Sequence, residues 1–318
     1  MTQPTIPFFL GACYAQAKVG KTVASLRAFS SGLFLGPPNC FAPAQTFLDF
    51  SPTVRTIHRL SDLIPIYEHA ATKGIKAPSI VVSDVSILAA NELRLLDSEI
   101  GGSNGFAKFA KMEDIFFKIM EYARKLEKYQ LWEFHLEPPK TIEKKGTVKQ
   151  TVFVPASPQF PGWAVAKNLA GHFDFLGQVV HTDELLTSAV WAYGFATKPD
   201  GESVRGDRLN LFTGVSALNI REPLRLRGMS TPRHDSLAWM DSEVDKYGDQ
   251  LAKLNATGNF NKEAVKEVLT SIQKDLNGRS KEHRRLVMLD SFDRAESIRQ
   301  TESAEDDLIN NLLHNIKE

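Results

Sequence analysis

The chain has 318 residues, with 38 Lys and Arg against 38 Asp and Glu, so its formal net charge is zero and its pI is about 7.1. Hydrophobic residues make up 42% and charged residues 24%, ordinary globular proportions that exclude a disordered chain, a collagen-like fibre and a disulfide scaffold. They also speak against a uniformly basic nucleic-acid coat, while leaving room for a local basic face. The two cysteines, Cys13 and Cys40, match no zinc-site spacing, and Cys13 reads as a small buried residue. The first ten residues lack the basic n-region and apolar core of a secretory signal. No run of about 18 apolar residues offers a membrane span. The composition therefore leads us to expect a soluble protein in a reducing cytoplasm.

In chain order, the apolar run 7–14 reads as a buried strand, followed by a turn and a helix from Gly20 to about Ser30. Residues 31–36 read as a second strand, cut off by Pro37 and Pro38, and 39–60 read as irregular because of Pro43 and Pro52. A helix is expected over 61–73 with Ser61 or Asp62 near its N-cap, then a buried parallel strand at 79–84. Helices follow at 86–99 and 107–128, separated by a Gly/Ser/Asn loop, and a strand at 130–136. The stretch 137–162 holds five prolines and a hairpin tip near Lys144-Lys145-Gly146. Next come a short helix at 163–171 and strands at 174–181, 188–196 and 208–213. Beyond about 232 the chain is polar and helical, most clearly at 261–276. Strands alternating with helices predict an α/β domain over 1–230 with a mostly parallel sheet covered on both faces, and a helical C-terminal region over 231–318.

One segment carries chemistry. Ala15-Gln16-Ala17-Lys18-Val19-Gly20-Lys21-Thr22 fits the P-loop form with alanine in the first place. Such a loop curls its backbone N–H groups around a β-phosphate at a helix N-terminus. Gly20 permits close approach, Lys21 reaches the β- and γ-phosphates, and Thr22 offers its hydroxyl to Mg²⁺. An apolar strand enters the loop and a helix leaves it, as the motif requires; the alternative is an ordinary strand–turn–helix with an accidental Gly-Lys-Thr. Lys18 adds a charge that either contacts phosphate or is solvated. Asp84 ends the run Ile80-Val81-Val82-Ser83, at the strand edge where open α/β sheets bind ligands. It is a candidate to hold Mg²⁺ through water or, alternatively, to cap the next helix; Ser86 is placed to shape the same edge.

The order AQAKVGKT, SIVVSDVS, then LWEFHLE resembles the RecA-like P-loop ATPases, and within them the compact phage-encoded group associated with recombination and single-strand annealing. RGDRLN, Arg205 to Asn210, is similar to the basic strand start near the end of that ATPase core. The resemblance covers roughly residues 7–230 and is specific only at the P-loop. It implies ATP and Mg²⁺ as cofactors, a homo-oligomer, and single-stranded DNA as partner. It further implies that His135 is a polar sensor of the γ-phosphate, against a capping or core histidine. Arg205 and Arg208 become trans-acting fingers on a neighbour's nucleotide, against two solvated arginines. One departure stands out. The strand after the P-loop helix, LFLGPPN, lacks the glutamate that such ATPases use to orient the attacking water, and Asp84 is followed by valine. Glu92, Glu133 and Glu137 are the remaining candidates, and hydrolysis is expected to be slow or completed in an assembly.

Charge is uneven along the chain. Residues 203–233 carry six arginines against two acids, and 290–318 three basic residues against eight acids. Lys140, Lys144, Lys145 and Lys149 are candidates for phosphate contacts in a DNA-binding loop, with Phe153, Phe160 or Trp163 stacking on bases; the alternative is a solvated hairpin with core aromatics. The acidic tail, with Leu308, Ile309, Leu312, Leu313 and Ile316 at helical spacing, is a candidate to dock on a partner, a neighbouring subunit or its own core. The basic run 279–285 reads as a solvated face. These features lead to an ATP-dependent DNA recombination or replication protein of phage type, located in the host cytoplasm. A helicase-loader-like ATPase, or a nucleotide-dependent assembly module with little hydrolysis, are the alternatives.

Overall fold

The computed structural model describes residues 8–100, 105–144, 150–161, 165, 168–189, 191–212, 214–229 and 231–315. Its centre is a mixed, mostly parallel sheet of ten strands. The parallel part runs β3 (Thr53–Thr56), β2 (Leu33–Gly36), β4 (Ser79–Val82), β5 (Tyr129–Glu137), β1 (Leu10–Ala15), β9 (Phe175–His181). Beyond β9 the sheet turns antiparallel through β10 (Tyr193–Ala196) and β12 (Val215–Ala217), with β11 (Gly206–Asp207) also on β9. β8 (Ser157–Pro158) caps the far end of β5. β6 (Lys140–Lys144) and β7 (Gln150–Val154) form a separate hairpin.

Every residue of β1 is buried, because the strand has helices on both sides. Leu10, Ala12 and Tyr14 face one apolar layer with Ile80, Val82, Trp132 and Phe134, under α3 (Leu63–Lys73), α4 (Val85–Ile100) and α5 (Gly105–Arg124). Phe9 and Cys13 face the other layer with Val81, Leu131 and Phe175. The ring of Phe175 lies across Gly11, where an added Cβ would come within 2.1 Å of it, so only glycine fits between the two strands there. Burial pushes the Cys13 thiol up, which makes it an inert core residue.

The second layer also takes in the C-terminal helices: α6 (Arg221–Leu226), α7 (Met240–Ala256), α8 (Lys262–Asp275) and α9 (Lys281–Asn315). Met240, Val244, Tyr247, Leu286, Val287 and Phe292 share one apolar cluster with Leu26 and Phe29 of the α1 (Lys21–Ala28) segment. The change of composition near residue 230 is thus a change of element type, and the core runs across it. Among the described residues no helix is long and apolar enough to cross a membrane.

Two expectations are corrected. Residues 39–60 are not irregular: α2 (Ala42–Leu48) and β3 occupy them. Pro43 sits in the first turn of α2, where the missing N–H costs nothing, and Leu48 is fully buried. β3 is the exposed edge strand, too short and polar to announce itself. The strand expected at 208–213 does not form over its described residues, 208–212; two short strands, β11 and β12, flank that segment instead.

Candidate functional site

The loop between β1 and α1 lies at the C-terminal edge of the parallel strands. Gln16, Ala17 and Lys18 are exposed. Lys18 (φ 67°) and Gly20 (φ 94°) both have positive φ, a backbone conformation that recurs in turns that gather N–H groups around an anion. Gly20 is the N-cap of α1 and brings no side-chain cap, so the first turn keeps its N–H groups for another acceptor. A Cβ on Gly20 would lie 2.4 Å from the indole of Trp191, so glycine is required by both backbone and space. Nothing in the sequence pointed to Trp191, because it lies in the β9–β10 connection, which only the folded sheet brings beside the loop.

Lys21 is buried, and its Nζ donates to the carbonyls of Ala15 (3.4 Å) and Gln16 (3.2 Å), folding the cation back along the loop. Beneath it lies Glu133, fully buried on β5. The parallel register places Glu133 opposite Cys13. There its carboxylate accepts hydrogen bonds from Thr22 Oγ1 (3.2 Å), Ser83 Oγ (2.6 Å) and Ser25 Oγ. Burial pushes the Glu133 carboxyl up, opposed by the Ser25 and Ser83 hydroxyls and the Lys21 charge, while Asp84 adds to the upward push. The Thr22 hydroxyl spends its proton on Glu133, which leaves its lone pairs for a cation.

Asp84 follows β4 with φ 53°, an uncommon conformation for a non-glycine residue that costs about 1–3 kcal/mol and gathers at functional sites. Its carbonyl opens α4 by accepting from Ile87 and Leu88 N–H. Its carboxylate instead meets His135 Nε2 at 3.1 Å, and both side chains are about a quarter exposed. The Ser86 hydroxyl accepts from the His135 N–H (2.9 Å) and donates to the Gln159 carbonyl (2.6 Å), so it fixes this edge. Asp84 and His135 thus form a pair on the edge that carries the loop.

The other candidates lie elsewhere. Glu92, a buried residue of α4, accepts from the Ser61 N–H, and Glu137 pairs with Lys140 (2.7 Å). Arg205 is held by Gln178 and Asp200. Arg208 donates to the Gly171 carbonyl, and its N–H bonds the carbonyl of Asp174, whose carboxylate holds the Leu10 N–H at the start of β1. Arg208 therefore sits at the opposite sheet edge from its own chain's loop. Lys140 and Phe153 are half-exposed on the hairpin. Phe160 is instead a core residue packed on Phe116. Lys145, Lys149, Trp163, the side chain of Lys144 and the tail side chains from Glu305 onward lie outside the described residues.

The arginine-rich stretch 203–233 is not a basic face. Arg221 and Arg233 are buried against Asp241, and Arg233 also against Asp290. Arg225 pairs with Glu222 and Asp245, and Arg227 donates to the Asn210 carbonyl. Arg27, at the end of α1, pairs with Asp290 and Asp293 of α9. Two of the acids counted as an acidic tail therefore face arginines inside the protein.

No protein-family model matches the chain, and no curated protein is significantly similar to it in sequence. The site rests on its own geometry.

Proposed function

We propose that the chain is an ATP- and Mg²⁺-binding protein of the RecA-like P-loop type that acts as an oligomer on single-stranded DNA, in recombination or replication of phage type. The observation that carries the nucleotide reading is the joining of three parts at one sheet edge. These are an open loop with two left-handed residues, a Thr22 hydroxyl oriented by Glu133, and the Asp84–His135 pair.

The residues present fit the group. The loop N–H groups of Lys18 to Thr22 would hold phosphate oxygens, with Lys21 swung from the loop carbonyls onto them. Thr22 and Asp84 would hold Mg²⁺, completed by phosphate oxygens and water as that ion prefers. The bound nucleotide supplies the phosphoryl group to be transferred to water. β5 lies between β1 and β4, so His135 stands beside both the loop and Asp84, the place a γ-phosphate sensor needs. Glu133 is a positioning residue here: sealed below α1, it aims Thr22 and does not reach water at a γ-phosphate. Arg205 and Arg208 would act only on a neighbouring chain's nucleotide.

For DNA, the β6–β7 hairpin leaves the sheet directly after β5, on the edge that carries the loop. Its lysines would neutralise phosphates, and Phe153 would stack on a base. The buried, fully engaged Glu133 and the acid-free end of β2 favour a second reading, a nucleotide-dependent assembly module with little hydrolysis.

The test is the ATPase rate with and without single-stranded DNA. Stimulation of tenfold or more supports the first reading, tight ATP binding with no turnover supports the second, and absence of ATP binding overturns both. In the first case Lys144→Glu with Lys145→Glu should weaken DNA binding about tenfold and lower its salt dependence.

A further inference from the structure

Between α8 and α9 lies an open groove of about 600 Å³, lined by Leu269, Ile272, Asn277, Lys281, Arg284 and Met288 among others. Its volume falls in the range of about 300–1,000 Å³ typical of sites that enclose a drug-sized ligand. Apolar side chains from both helices form its floor and cations of the first α9 turns form its rim. None of the described residues that line it is acidic. It calls for an occupant that is both apolar and anionic.

The chain contains such a segment. From residue 302 it reads ESAEDDLINNLLHNIKE, with acids at 302, 305, 306 and 307 followed by Leu308, Ile309, Leu312, Leu313 and Ile316. The acids precede the apolar stripe by one turn, so a helix laid in the groove presents carboxylates to the rim while its leucines fill the floor. The segment cannot reach its own groove. α9 is a helix of 35 residues from Lys281 to Asn315. At about 1.5 Å per residue, Leu308 lies about 30 Å beyond Met288 along the same axis.

We propose that the acidic, leucine-bearing end of α9 in one copy of the chain docks in the α8–α9 groove of a second copy. Each copy carries both a groove and a tail, so a twofold pair lets each tail enter the other copy's groove, while the middle of α9, buried from Asp290 to Ser297 apart from Arg294, stays inside its own chain. The contact is independent of the P-loop reading, since none of its residues belongs to the loop edge.

The full-length chain tests it by sedimentation and light scattering. We expect a dimer that dissociates as salt is raised from about 0.1 M to about 1 M, where screening shortens from about 10 Å to about 3 Å. Lys281→Glu with Arg284→Glu, and separately truncation after Ala304, should each weaken self-association about tenfold or more. Mixed together, the two variants should pair, because one keeps the tail and the other the groove. Lys281→Glu alone, at an exposed position, serves if the double variant does not fold, with a weaker effect of the same sign. A full chain that stays monomeric, association unchanged by truncation, or variants that do not pair would overturn the proposal. So would loss of single-stranded DNA binding by the groove variant with association intact, which would assign the groove to nucleic acid.

Discussion

Helix α1 has its first turn in the candidate nucleotide loop and its last turn in the C-terminal ion cluster, and the two ends are built differently. At the first turn, Gly20 brings no side-chain cap, Lys18 and Gly20 hold left-handed backbone, and Lys21 rests on main-chain carbonyls. At the last turn, Arg27 is buried and engaged by Asp290 and Asp293, and Asp290 also takes Arg233 and the Asn219 amide. One end keeps donors and a cation available for an anionic ligand. The other matches each buried charge within the chain, since an unmatched one is costly. The comparison separates residues whose loss should abolish binding from those whose loss should unfold the protein.

The largest expected effect lies at the ion cluster. Asp290→Ala leaves Arg27 and Arg233 buried without their shared carboxylate and should cost about 3–5 kcal/mol of stability in urea denaturation. A loss below about 1 kcal/mol would show that the cluster relaxes and that the contrast between the two ends is false. Next in size, Lys21→Ala should lower ATP affinity about 100-fold in equilibrium binding, which is about 2.8 kcal/mol. It should cost much less stability than Asp290→Ala, because the Glu133 carboxyl is already pushed up by burial and can take a proton. Equal loss of folding and binding would place Lys21 in the structural class with Asp290.

The same contrast explains what the sequence made legible. The loop edge is local: strand, loop, Lys21 and Thr22 follow one another within a dozen residues, and Asp84 and His135 each end an apolar run. Motif spacing singles out Lys21 and Thr22, the apolar run singles out Asp84, and the resemblance to RecA-like ATPases singles out His135. Glu133 was visible as an acid inside an apolar strand, but its place under Thr22 depends on the β1–β5 register, which the sequence does not print. The ion cluster is non-local, with Arg27 and Asp290 separated by 263 positions. Counted along the chain, its arginines and aspartates resemble a basic face and an acidic tail; folded, they cancel one another out of water. The neutral total thus arises partly in the interior. The hidden α2 and β3 have a different cause, since Pro43 and Pro52 read as breakers although Pro43 only opens a helix.

The smallest predicted effect sharpens the comparison through pH. Two carboxylates share Arg27, and Asp290 has Arg233 as a second partner. Arg27 and Arg233 together hold the Asp290 carboxyl below its usual range. Asp293 is pushed up to about 7, first by burial and then by the neighbouring Asp290 and Glu222 charges, with only Arg27 and Asn219 opposing. The folded protein therefore keeps a proton on Asp293 that the unfolded chain, with an ordinary carboxyl near 3.8, has lost. The linked stability is fully present below about pH 4 and falls as pH rises through about 7. Asp293→Asn fixes the side chain in its neutral form and should flatten that slope. The readout is the difference in urea midpoint between wild type and variant at about pH 5 and about pH 8, in which titrating groups far from Asp293 cancel. The variant should gain relative to wild type on going to the higher pH. A difference independent of pH would mean that Asp293 is ionised throughout and that Arg27 serves both carboxylates equally.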